Sequence, residues 1–157
     1  MLPDIIVDTP SGQLALVFTG QSSSDSNPLA HGHHCAVRIP DNACFVIRGK
    51  EYRHGLTHLY RQADGSWTPA TGFVALSVMY RDATPAAREA FVKIARETVR
   101  AYVAQHPEVL QRAQNSKIAE DRERIERKIR EKESELAKLR EQLSALDWQA
   151  VKNTLGR

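Results

Sequence analysis

The stretch IAEDRERIERKIREKESELAKLREQLSALDWQA, residues 118–150, decides how the chain is organised. With Ile118, Ile125, Lys132, Leu139 and Leu146 at heptad position d, and Arg122, Ile129, Leu136, Leu143 and Ala150 at a, eight of ten seam positions are apolar. An apolar seam carried over this many heptads predicts a coiled coil. Glu120, Glu123 and Glu126 each stand four residues before an arginine, the favourable orientation for charge pairs on a helix. An unbroken helix over this stretch is about 50 Å long at 1.5 Å per residue. The helix expected before it has only roughly 20 residues and cannot cover that length.

The seam can therefore be buried in two ways. One is an oligomeric or partner-bound coiled coil, the favoured expectation, and the other is an intramolecular helical hairpin. The interface residues are Ile125, Ile129, Leu136, Leu139, Leu143 and Leu146. In a parallel pair Lys128 meets Glu133 and Glu135 meets Arg140, both attractive, while Asp121 opposes Glu126. Arg122 and Lys132 weaken a strict dimer seam.

Upstream, Thr84-Pro85 places a capping residue before a proline at the first helical position. Phe91, Ile94, Ala95, Val99, Tyr102 and Val103 then recur at three- and four-residue spacing, one apolar stripe able to close over a sheet. Lys93, Arg96 and Arg100 lie on the other side. His106-Pro107 interrupts the helix, because a residue before proline resists the α region.

The first 83 residues read as β-rich. Ile5-Ile6-Val7, Leu14 to Phe18, and Cys35, Val37 and Ile39 have strand character, with Thr9-Pro10-Ser11-Gly12 as a turn. Gly20 to Gly32 reads as a polar loop. Pro40-Asp41-Asn42 followed by Cys44-Phe45-Val46-Ile47 predicts a hairpin whose second strand is buried on both faces. Asp64-Gly65 marks a tight turn before Trp67, and Val74, Leu76, Val78 and Tyr80 alternate onto one side of a last strand. Some six strands with short connections predict an antiparallel sheet. The expected fold is α+β: an N-terminal antiparallel β-sheet (1–83), a packing helix (84–106), and a long C-terminal helix (107–157) with its coiled-coil segment at about 118–150.

Length and charge bound the function. The 157 residues suit one domain of modest core with an appendage, and 41% apolar with 26% charged residues argues against wholesale disorder. The net charge of +3 is unevenly spread: residues 1–83 carry −1, 84–119 carry +3, and 120–141 are neutral although 16 of 22 positions are charged. A mixed-sign block reads as an exposed helix rather than a tail. Two cysteines, no basic leader and no long apolar run predict a cytoplasmic protein without signal peptide or membrane span.

Three chemistries compete with plain interaction. His31-Gly32-His33-His34-Cys35 offers metal-ligand types, but its spacing to Cys44, His54 and His58 fits no zinc pattern, so His31, His33, His34 and Cys35 remain lesser candidates and no metal or cofactor is expected. Cys35 beside His34 could supply a nucleophile and base, but neighbouring strand residues face opposite ways. No phosphate-cradling loop or hydrolase elbow is present, so the chain is expected not to be an enzyme. In 48–61, Arg48, Lys50, Tyr52, Arg53, Tyr60 and Arg61 mix cations with aromatic rings, the best candidate for RNA, single-stranded nucleic acid or an acidic partner. The basic segment 84–119 extends such a surface without the density of a dedicated nucleic-acid arm.

The expectation is thus a non-enzymatic interaction protein that binds a protein partner and can form a homo-oligomer through its C-terminal helix. It would act as an adaptor or as an inhibitor of a larger assembly, a ribonucleoprotein among them; a phage- or plasmid-borne anti-defence protein has this form. The alternatives are a nucleic-acid-binding protein using 48–61, and a metal-binding or Cys/His-dependent enzyme.

Overall fold

The structure, a computed structural model, describes residues 3–21, 32–78 and 81–156; the side chains of 70–82 lie outside the description. The chain forms two compact units, Met1–Ile118 and Ala119–Arg157. Within the first, strands β1 (Ile5–Thr9), β2 (Gly12–Thr19), β3 (His34–Arg38), β6 (His54–Arg61), β7 (Trp67–Val78) and β8 (Arg81–Asp82) make one sheet in the order β1-β2-β3-β6-β7-β8. Every pairing is antiparallel. Strands β4 (Phe45–Ile47) and β5 (Lys50–Tyr52) form a separate two-stranded ribbon. The α+β fold expected from the sequence is present.

One face of the sheet holds the core. Leu14, Leu16 and Phe18 of β2, Cys35 and Val37 of β3, and Leu59 of β6 are buried there, in register across the strands. Helix α1 (Pro85–Gln105) closes over them. Its cap is the expected one: Thr84 Oγ1 accepts from the Ala87 amide at 3.3 Å and Pro85 follows. Ala87, Phe91, Ala95 and Val99 are its buried stripe, with Ile94, Tyr102 and Val103 packed at the edges. Gly55 sits beneath Phe91, where a methyl group would lie 3.1 Å from Phe91 Cζ and 2.8 Å from Ile39 Cδ1. The bare backbone lets the ring reach the sheet. Phe45 meets Phe91 edge-on at 5.7 Å, which fastens the β4–β5 ribbon to the same centre.

The hairpin expected across Pro40-Asp41-Asn42 is not formed. Strand β3 pairs with β2 and β6, whereas β4 pairs with β5 across Arg48-Gly49, both at positive φ (51° and 77°). Two such residues between paired Ile47 and Lys50 make the mirror-image turn that suits twisted strands. Nor is β4 buried on both faces: Phe45 and Ile47 point inward while Val46 is 40% exposed. An unbroken apolar run suggests two-sided burial, but a short ribbon on a larger core needs only one apolar face. The Asp64-Gly65 turn forms as expected, with the Gln62 amide donating to Ser66 O at 2.7 Å. The expected alternation of Val74, Leu76, Val78 and Tyr80 lies outside the described side chains.

After His106, whose amide donates to Tyr102 O, and Pro107, helix α2 runs from Glu108 to Leu155. Its first turns belong to the first unit, where Val109 and Ala113 are buried. Among the described residues no helix is long and apolar enough to cross a membrane.

Phe91→Ala should cost about 3–5 kcal/mol of stability, the usual range for a buried phenylalanine. Gly55→Ala should cost about 1–3 kcal/mol by overpacking against Phe91 and Ile39. Urea unfolding of both variants checks this, and an unchanged midpoint in either would remove Phe91 as the centre of the core.

Candidate interaction surfaces

The second unit, taken by itself, is the continuation of α2 from Ala119. Its seam residues Ile125, Ile129, Leu136, Leu139, Leu143 and Leu146 are between 47% and 62% exposed. Helix α2 is continuous, without a reversal within it. Water-exposed leucine and isoleucine at heptad spacing carry unspent burial energy, on the order of 1 kcal/mol each when half of the side chain is still exposed.

The two polar seam positions are each drawn to a flank of the same helix. Arg122 Nε donates to Glu126 at 2.9 Å, and Lys132 Nζ donates to Glu135 at 2.8 Å. The hydrogen bond from Lys132 and the adjacent negative charge raise the lysine's pKa. Arg124 pairs with Asp121 at 2.8 Å rather than adding to the seam.

The basic-aromatic segment does not assemble into one surface. Arg48 lies in the β4–β5 turn, Lys50 and Arg53 are exposed, and Tyr52 is a core residue, 3% exposed. Tyr60 and Arg61 are neighbours on β6 and therefore face opposite ways. Arg61 lies opposite Trp67 in the register, on the packed side, while Tyr60 lies opposite His34 on the other face. Strand alternation, which divides a mixed cation–aromatic segment between two faces, explains the dispersal.

The histidine-rich candidates are scattered as well. His31 lies outside the described residues. His33 Nε2 donates to Leu110 O at 3.1 Å, and burial foremost lowers its pKa. Cys35 is fully buried on the core side, where desolvation pushes its thiol pKa up and leaves it inert. His34, one residue earlier, faces the other way. Among the described residues no three His, Cys, Asp or Glu side chains come together as a metal site.

The sheet does gather one group that spacing along the chain could not reveal. β3–β6 pairing sets Ala36 opposite His58 and His34 opposite Tyr60. His34 Nε2 and His58 Nδ1 are 2.8 Å apart, one donating to the other, and the Tyr60 ring centre is 4.9 Å from that of His34. Burial, and then the charge of His58, lower the His34 pKa from 6.5 to about 4. His34 is therefore neutral at pH 7, and its contact with His58 joins two strands across the face of the sheet opposite the core. A separation of 24 positions along the chain hides this proximity, which only the strand order reveals.

No family model, curated protein or solved structure matches the chain. What it does must be argued from these surfaces.

A histidine whose pKa is lowered on folding stabilises the fold above its unfolded pKa of 6.5 and loses that contribution as pH falls towards 4. His34 is only partly buried, so solvent screening limits the effect to on the order of 1–2 kcal/mol. His34→Gln should flatten the stability profile between pH 7 and 4.5 relative to the parent in urea titrations. Parallel profiles would show that His34 is not the source.

Proposed function

We propose that the protein is a non-enzymatic interaction protein whose C-terminal helix associates with a second copy of itself. The β-rich unit would then serve as the recognition module of an adaptor or of an inhibitor of a larger assembly. The observation that carries this reading is the seam from Ile125 to Leu146, six large apolar side chains at a and d, all about half exposed. Scattered exposed leucines are ordinary, but a periodic row of them is a helix-binding surface.

A second copy suits the seam for two further reasons. Residues 120–141 are densely charged but neutral in sum, so two such helices meet without net repulsion. In parallel register Lys128 faces Glu133 and Glu135 faces Arg140, two attractive contacts against the repulsion of Asp121 and Glu126.

Sedimentation equilibrium of the full chain should show a concentration-dependent oligomer. Replacing Leu139 and Leu143 together by glutamate should give a monomer, because charge buried in a seam costs several kcal/mol, about 2–7 for an uncompensated polar group. The first unit's urea transition should be unchanged in that variant. Lys132→Leu should tighten association. A parent chain that stays monomeric at 100 μM (a concentration of about 10⁻⁴ M, where any useful coiled coil is assembled) overturns self-association.

A further inference from the structure

We infer that the outer face of α1, over the turn between β6 and β7, is a binding site for the phosphodiester backbone of nucleic acid. Lys93, Arg96 and Arg100 line a recess of about 260 Å³ together with Ser66, Trp67 and Glu97. None of the three cations has an ion-pair or hydrogen-bond partner among the described residues, whereas Arg38 pairs with Asp4, Arg122 with Glu126 and Arg124 with Asp121. Arg61 adds a fourth positive charge at the same turn: a methyl group on Gly65 would lie 3.6 Å from its Nη2. Two carboxylates oppose these four, Glu97 in the recess and Asp64 in the turn, where the Ser66 amide and hydroxyl both bind Asp64. The balance is positive.

The composition of the recess selects the ligand. Trp67 is 3% exposed, so it forms a wall and offers no ring face on which a base could stack. A protein partner is normally held by an aromatic or aliphatic anchor sunk in a pocket, and the recess presents exposed charged side chains instead. Phosphate recognition needs only such charges, and it is sequence-independent. The spacing fits too. Lys93 and Arg100 are seven positions apart, about 10 Å along the helix axis, so the three cations form one stripe along which a single strand can lay about three phosphates.

This inference does not rest on self-association through α2, and it is tested in the Leu139→Glu, Leu143→Glu background as well as in the parent so that each chain is counted once. The probe is a fluorescein-labelled 20-nucleotide single-stranded RNA, followed by anisotropy between 50 and 300 mM salt. Binding is expected at low salt with a log–log slope of about −2, about −0.7 for each of three phosphates. Replacing Lys93, Arg96 and Arg100 together by alanine should weaken binding at least about tenfold at 50 mM salt and bring the slope close to zero. The charge-keeping variant Lys93→Arg, Arg96→Lys, Arg100→Lys should retain both, which separates charge from damage to the fold. Absence of RNA binding at 50 mM salt, or an alanine variant with the parent's affinity and slope, overturns the site. Complete displacement of the RNA by 5 mM inorganic phosphate at constant ionic strength also overturns it, because the recess would then hold a free phosphate rather than a backbone.

Discussion

The first unit depends on the seating of Phe91 on Gly55. One fully buried ring of the helix touches the sheet at Gly55 and the ribbon through Phe45. Three elements that could each move alone are fixed by a single contact. Its specificity comes from size: the helix can approach because residue 55 has no side chain, and the ribbon can lie beside it because Phe45 meets Phe91 at its edge. A second aromatic group, Phe18 with Trp67 and Tyr102 at 6.0 Å each, fixes the other end of α1. Between these two points the backbone of α1 is fixed on the sheet. That is why its cationic stripe can act as a defined surface although the side chains themselves are exposed.

The helical half was legible because helices are local. The Thr84 cap and the interruption at His106-Pro107 are each written within a few residues and take their expected form, and the heptad stretch is helical throughout. The β-rich half was legible only as a class. Its strands could be placed from residue type, but their partners could not, since pairing joins residues far apart in sequence. Hence the mistaken hairpin of β3 with β4. The turn at Pro40-Asp41-Asn42 is real, with Ala43 donating to Pro40 O, yet it leads into a separate ribbon. Arg48-Gly49, the dipeptide that does make the ribbon, gives little turn signal in the sequence, because arginine at positive φ is uncommon.

The same limit governs the candidate residues. The segment 48–61 looks basic and aromatic when read along the chain, but alternation puts Tyr60 with His34 and Arg61 with Trp67 on opposite sides of the sheet. The histidine cluster dissolves for the same reason, with Cys35 inside and His34 outside. What replaces it, the His34–His58 contact, is a cross-strand pair. Sequence spacing finds surfaces on a helix well, as with Leu136, Leu139 and Leu143, because there spacing and direction are one relation. On a sheet, direction follows from spacing but neighbourhood does not.

Arg122 and Lys132 give the seam its character. In a parallel pair each would face its own counterpart across the axis, and bare like charges at that distance would oppose association. Each already donates to a glutamate at a flanking position, Glu126 and Glu135, so the charge that enters the seam is partly neutralised before a second helix arrives. Desolvating such pairs still costs energy that an apolar residue would not. In the proposed pair the uninterrupted portion from Leu136 to Leu146 would therefore carry the affinity, and the polar positions above it would restrict which register can form. Such a helix would associate in one alignment and release more readily than an all-leucine seam. In such a pair Glu126 and Glu135 would belong to the interface, because without them the two cations would be left unpaired against their own copies.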